Sequence, residues 1–470
     1  MIINGKKIEK KNKFEVRNPY NGEVVGRVNI ADKEDIIKAM QLSVNTKKDL
    51  SIGERIKILK TAAESVKKER EEIAKLITSE SGLALEDTLH EVDRVCNTLS
   101  ASAEIVHKIE EDMSHKFILG NNKNPELKVI SEPWDLVVGI TPFNHPMNQV
   151  AHKVGPAIAA GTAIVVKPSE KTPLSAIKLV EILHESGLPI NMVNLITTND
   201  PNSFLDIVLS MKLAQMITFT GGVEIGKYIA RRLAETGNEM VSYVPELGDN
   251  AALTVLDDAD IKLAAKMALN AFANSGQRCT SIKRILLHNS IAEKFIQEFL
   301  ELTKKIKYGN PLDPEINMGT VINEEAAIKI QDRVDDSIRE GAVLLYGNER
   351  KGALYSPTIL DKVNPNSELV VKETFGPVAP IIRINNIDEA IKIINSVHYK
   401  LSGAVITKDK AKAELISNAI KVGQFNWNNN PGYRTEQAPF GGFGLSGNGR
   451  KEGVIMAAEG MRRIRTFYAH

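Results

Sequence analysis

Three short apolar runs, each stopped by turn or polar residues, constrain the fold most. Trp134 to Ile140 ends at Thr141-Pro142, Ala163 to Val166 at Lys167-Pro168, and Met216 to Phe219 runs into Thr220-Gly221-Gly222. Runs of this length without polar alternation read as strands buried on both faces. Helix-like windows lie between them, so the chain is expected to build α/β layers around a largely parallel sheet. In such a sheet ligands sit outside the carboxyl ends of the strands. The three strand ends are therefore where a site is expected.

At 470 residues the chain exceeds the roughly 250–300 at which a single core stops growing, so two or three domains are expected. Ser51 to Ser81 carries Ile56, Ile58, Leu59, Ala62, Val66, Ile73, Leu76 and Ile77 at helical spacing, with Gly82 as its C-cap. Sixty basic side chains against 59 acidic ones leave no global field to recruit nucleic acid or an anionic membrane. Two cysteines, Cys96 and Cys279, build no disulfide framework. Val154 to Val166 is too short for a bilayer span of about 20 residues. The expectation is a cytoplasmic chain without a membrane segment or a metal site.

The run Ser275-Gly276-Gln277-Arg278-Cys279-Thr280 sets a thiol beside a guanidinium. A neighbouring cation favours thiolate, the nucleophilic form, so Cys279 is expected to ionise readily and Arg278 to dock an anionic group. Taken alone, Cys279 fits a small buried hydrophobe equally well. Thr141-Pro142-Phe143-Asn144-His145-Pro146 puts an amide at a strand end, and Pro245-Glu246-Leu247-Gly248 puts a carboxylate in apolar surroundings. Glu373-Thr374-Phe375-Gly376-Pro377 and Pro439-Phe440-Gly441-Gly442 follow.

Together, in this order, these segments resemble the aldehyde dehydrogenase superfamily over essentially the whole chain. The resemblance implies a Rossmann-type cofactor domain (residues 1–115 and 137–244), an α/β catalytic domain (245–440) and a small β oligomerisation arm (116–136 and 454–470). It implies that Cys279 attacks an aldehyde carbon, that Asn144 and the cysteine N–H stabilise the oxyanion, and that Glu246 activates water to release the acid. NAD is the implied cofactor. Thr141, Pro142, Phe143 and Ser169 would line its site, with Lys167 and Glu170 on the adenosine ribose. Gly221, Gly222 and Gly226 would receive the pyrophosphate at a helix N-terminus, and Leu247, Glu373 and Phe375 would meet the nicotinamide riboside. Many relatives carry serine where Gly222 stands, so one hydroxyl contact is expected to be lost.

Within the superfamily, Phe-Asn-His-Pro around His145, the run Gly276 to Arg284, Pro431-Gly432-Tyr433-Arg434 and Ser446 to Val454 are similar to the phosphonoacetaldehyde dehydrogenases. That similarity implies that Arg94, His145, Arg278, Thr280 and Arg434 hold a small anionic aldehyde, with phosphonoacetaldehyde first and lactaldehyde, sulfolactaldehyde or glyceraldehyde 3-phosphate behind it. Asp249 departs from the family's second glycine after Glu246, where its carboxylate either raises the pKa of Glu246 or turns away. Self-association as a dimer or tetramer is implied by the fold. A cysteine hydrolase working without nicotinamide, and a catalytically silent homologue, are the rival readings.

Overall fold

The computed structural model describes residues 1–46, 49–111, 114 and 126–469. Two seven-stranded sheets organise it. In the first, Ser242–Glu246, Met216–Thr220, Leu136–Ile140, Ala163–Lys167 and Val193–Leu195 run parallel, and Ile2–Ile3 and Lys6–Lys7 close the edge antiparallel. The period-2 alternation of strands divides its side chains between two cores. Val137, Ile164, Val166 and Met216 face one core, while Leu136, Val138, Val165 and Ile217 face the other. Both faces are covered, as unbroken apolar runs require.

The second sheet orders Val343–Tyr346, Thr358–Asp361, Val378–Ile384, Arg284–His288, Ala252–Val255, Ser402–Ile406 and Gln424–Trp427, parallel except at its first pair. It too is buried on both faces, with Leu286 and Val405 on one side and Ile285 and Ala404 on the other. Strand Ser242–Glu246, the last of the first sheet, ends six residues before Ala252 opens the second. The segment between them is the seam along which the site lies.

Two expectations are revised. The long helix over 51–81 is two helices, Ile52–Lys68 and Arg70–Ser81, hinged at Glu69. Ser51 and Glu54 form a capping box at the start, and Gly82 closes the second helix at φ +75°. The expected arm over 454–470 divides, because Val454–Gly460 is a helix whose Val454 and Ala458 belong to the first sheet's core. Only Arg462–Ala469 forms a ribbon, antiparallel to Glu126–Pro133. Residues 116–125 of the expected arm lie outside the described residues. Among the described residues, no helix is long and apolar enough to cross a membrane.

Candidate active site

Cys279 follows three consecutive residues in the left-handed region: Asn274 (φ +53°), Ser275 (φ +53°) and Gly276 (φ +71°). A Cβ on Gly276 would sit 2.0 Å from the carbonyl oxygen of Gly376, so only glycine lets the two segments touch. Side chains pin the strained turn from all sides. The Gln277 amide oxygen accepts from Ile322 N–H (2.8 Å), Asp87 accepts from Asn274 N–H (3.2 Å), and Lys283 Nζ donates to the carbonyl of Arg278 (2.6 Å). Asn144, buried at the end of strand Leu136–Ile140, donates through Nδ2 to the carbonyl of Gln277 (2.8 Å). That bond fixes the plane of the amide and leaves its second N–H to point elsewhere.

Glu246 is the last residue of its strand, 2% exposed, and its Oε1 has no hydrogen-bond partner. Gly221 N–H donates to its backbone carbonyl, which holds the Gly221-Gly222 turn against it. Burial pushes its carboxyl well above the usual range, reinforced by the neighbouring Glu452. Lys153, bonded to Glu452, Thr218 and Thr220, opposes that shift. The Cys279 thiol is likewise driven up by burial and then by Glu246, with Arg278 and Arg434 acting against them. This runs against the expectation of a resting thiolate: burial acts on the thiol more strongly than the adjacent guanidinium does.

Cys279, Glu246, Asn144, Pro142, Phe143, Gly221, Gly222, Leu247, Glu373 and Phe375 all line one cavity of about 280 Å³. Gly248 of the Glu246 motif joins them, as does Gln149, which carried no sequence signal. Phe143 and Phe375 meet edge to face at 6.0 Å, and Lys283 Nζ lies 5.2 Å over the Phe375 ring. Glu373 accepts from Asp249 N–H (3.1 Å), and burial raises its pKa to about 7. Across the turn Thr220-Gly221-Gly222 a second cavity of about 240 Å³ is lined by Thr141, Lys167, Ser169, Glu170 and Tyr228. Lys167 and Glu170 pair at 3.0 Å. Gly226 lines neither cavity: its missing Cβ makes room for Leu247, whose Cδ2 would lie 2.4 Å away.

The lining of the second cavity suits the adenosine ribose and pyrophosphate of a dinucleotide. Thr141 Oγ1 is buried without a partner, and Gly222 caps helix Val223–Glu235 with no side-chain hydrogen bond, leaving the first-turn N–H groups open to an anion. Lys167 and Glu170 offer a donor and an acceptor to a diol.

The expected anion binders separate. Arg94 is engaged by Glu436 (Nε–Oε1 2.7 Å), and both line a third cleft of about 430 Å³ with His90 and Arg434. Arg434 stacks over Phe440 at 4.2 Å and reaches Glu436 at 3.6 Å. His145 is buried beside Asn274 (3.4 Å) and Glu91 (3.6 Å); burial and Arg94 push its pKa well below the usual value, so it offers no charge to an anion. Arg278 and the buried Thr280 lie beneath the loop at Gly432, whose Cβ position is 3.3 Å from Arg278 Nη2 and 3.0 Å from Thr280 Oγ1. Asp249 turns away from the site to accept from Ser402.

A thiol, a buried carboxylate and an oriented amide lining one cavity, with a second cavity across a Gly-Gly turn whose lining suits a ribose and a pyrophosphate, fit a nicotinamide-dependent oxidoreductase that works through cysteine. The aldehyde dehydrogenase family model matches residues 7–467, and the chain belongs to that family. It is an NAD(P)-dependent aldehyde dehydrogenase. It is 34% identical to the 3-sulfolactaldehyde dehydrogenase of Priestia aryabhattai over 467 residues, 99% of this chain and 96% of the other. It is 34% identical to the lactaldehyde dehydrogenase of Methanococcus maripaludis strain C5 over the full length of both. The NADP-dependent glyceraldehyde-3-phosphate dehydrogenase of Bacillus halodurans C-125, solved with NADP, superposes with a TM-score of 0.94 at 32% identity, covering 100% of this chain and 98% of that one.

Proposed function

We propose that this enzyme oxidises a short aldehyde with an anionic tail to its carboxylic acid, using NAD, through a thiohemiacetal and a thioester on Cys279. The observation that carries the reading is one cavity lined by Cys279, Glu246 and Asn144 together with Gly221, Glu373 and Phe375. Attack by the Cys279 thiolate, its proton lost to solvent, forms the S–C bond and moves charge onto the carbonyl oxygen, towards the free N–H of Asn144. Such a donor is worth about 10²–10³ in turnover. A bound nicotinamide dinucleotide supplies the two-electron acceptor that takes the thiohemiacetal to the thioester. Glu246 then takes a proton from water, the hydroxide oxygen bonds to the thioester carbon, and the C–S bond breaks. Glu246 serves as this base because burial holds its proton affinity high.

Arg278 and Arg434 beside the thiol support an anionic tail. Phosphonoacetaldehyde, from the subfamily resemblance, belongs to that class. So does 3-sulfolactaldehyde, for which a relative is named, and glyceraldehyde 3-phosphate, for which a structural neighbour is named. The exposed Ile464, Phe467 and Tyr468 on the ribbon Arg462–Ala469 support its use in self-association, as a dimer or tetramer. A cytoplasmic location, with residues 1–115 and 137–244 as the cofactor domain and 245–440 as the catalytic domain, belongs to the same reading.

The test is a panel of these aldehydes, with lactaldehyde and uncharged propanal, assayed with NAD and NADP for reduced cofactor. The charged aldehydes should exceed propanal at least tenfold in kcat/KM. Equal values would remove the anionic tail from the reading, and turnover without nicotinamide would favour a hydrolase.

A further inference from the structure

Glu436 is the centre of a buried charge cluster that the catalytic chemistry does not use. Its Oε1 accepts from Arg94 Nε at 2.7 Å, its Oε2 meets His152 Nε2 at 2.8 Å, and the same oxygen lies 3.6 Å from Arg434. All four side chains are at most 14% exposed. Burial alone would raise its pKa, but His152 and Arg94 outweigh that, and the carboxylate is held ionised.

The cluster divides the guanidiniums of Arg94, Arg434 and Arg278 unequally. Arg94 is committed, with both Nε and Nη2 on Glu436. Arg434 touches Glu436 only at the longer distance, and its Nη1 is buried without a partner. Arg278 has no hydrogen-bond or ion-pair partner for its guanidinium among the described residues. Arg434, with one donor nitrogen unspent, and Arg278, which feels the buried Asp87 without pairing with it, are therefore the cations left to meet a substrate, and Arg94 is neutralised from within.

We infer that Glu436 is a specificity-determining residue: it withholds Arg94 from the substrate's tail, leaves Arg278 and Arg434 to bind it, and so limits how strongly the pocket favours a doubly charged tail over a singly charged one. The inference rests on the anionic-tail reading of this site. Arg94 is then a positioning residue for the loop carrying Arg434, not a ligand of the substrate. A carboxylate a few ångströms from a bound anion repels a second tail charge as much again as the first, and in partly buried surroundings that difference amounts to about tenfold or more in binding.

Phosphonoacetaldehyde and sulfoacetaldehyde test this, because they share length and shape and differ in charge above neutral pH. The readout is the ratio of kcat/KM for phosphonate over sulfonate at pH 8, in wild type, Glu436→Gln and Glu436→Asp. Glu436→Gln should raise the ratio at least tenfold, and Glu436→Asp should return it to within threefold of wild type. A purely structural role would lower both efficiencies together, so a ratio unchanged within twofold in Glu436→Gln overturns the inference. Should that variant not fold, the Arg94→Gln/Glu436→Gln pair removes both charges without orphaning either. It should keep the wild-type ratio within threefold, and a tenfold fall would put Arg94 on the substrate and overturn the inference. Wild-type enzyme that takes propanal as well as both anions would instead sink the anionic-tail reading itself.

Discussion

Asp249 Oδ2 lies 3.0 Å from the backbone nitrogen and 2.7 Å from the hydroxyl of Ser402, and its Oδ1 accepts from Leu401 N–H at 3.3 Å. A carboxylate three residues from Glu246 thus caps the start of strand Ser402–Ile406. Its effect on Glu246 is the smallest of the named electrostatic contributions. Asp249→Ala should cost about 1–3 kcal/mol, because two buried N–H groups lose their acceptor. Denaturant midpoints measure the loss. Asp249→Asn keeps an acceptor and should lose less, with the acidic limb of the rate profile in place. A shift of that limb by about one unit would show Asp249 acting on the base instead.

A general base works only when ionised, and burial has raised the pKa of Glu246, so deacylation should rise with pH through a midpoint above the ordinary carboxylate range. Glu246→Gln should remove that limb and slow turnover by about 10²–10⁴. Rapid mixing with NAD and substrate should then show a burst of one reduced cofactor per site, followed by a slow phase. Loss of the burst itself would mean that Glu246 is needed before the thioester forms.

A thiol raised by burial is neutral at pH 7 and ionises only as pH climbs past its ordinary range. Cofactor-free enzyme should react with iodoacetamide at Cys279 more slowly than a free thiol does, with a rate still rising above pH 9. Arg278 lowers the thiol pKa, so Arg278→Gln should slow alkylation further at fixed pH. A pH-independent rate below 8 would establish a resting thiolate. Cys279→Ala should abolish oxidation.

The parts of this site that could be read from sequence are those set locally. Asn144 and the Gly221-Gly222 turn follow apolar strands, whose ends are visible in a window of ten residues, whereas Glu246 ends a strand without an apolar run and was marked only by its apolar neighbours and the family resemblance. What escaped depends on distance or on burial. Arg94 and Glu436 are 342 residues apart, so nothing near either announced that one would neutralise the other. The Arg278-Cys279 dipeptide advertised a thiolate, yet the dominant influence is exclusion of water by the surrounding fold, which adjacency cannot convey. The helix break at Glu69 has neither glycine nor proline to mark it, and the core position of Val454–Gly460 comes from packing against the helix Pro146–Ala160.

Gly222 has φ −70° and ψ 149°, the extended conformation of an N-cap, and a Cβ there meets nothing within 4 Å. Serine fits without strain and offers its oxygen to a first-turn N–H or its hydroxyl to a phosphate. Gly222→Ser should add a few tenths of a kcal/mol to stability, and should lower the KM for the dinucleotide several-fold. Gly226→Ala should do the opposite, since its Cβ would press on Leu247 Cδ2 at 2.4 Å. Equal dinucleotide constants in all three proteins would place the pyrophosphate elsewhere.

Glu170 is expected to set the cofactor preference. It pairs with Lys167 at 3.0 Å on the wall of the second cavity, and the ammonium, overcoming partial burial, holds its carboxyl below the usual range. An ionised carboxylate there accepts from a ribose hydroxyl and repels a 2′-phosphate. Wild-type enzyme should therefore use NAD more efficiently than NADP. Glu170→Gln removes the repulsion and leaves Lys167 free to meet the phosphate, so the NAD:NADP ratio of kcat/KM should fall about tenfold or more. Added salt should shrink the wild-type preference, because Glu170 is partly exposed and screening reaches it. The decisive measurement is the ratio in both proteins at low and high salt. A wild type that prefers NADP, or a ratio indifferent to Glu170→Gln, would mean that the adenosine ribose lies away from this pair.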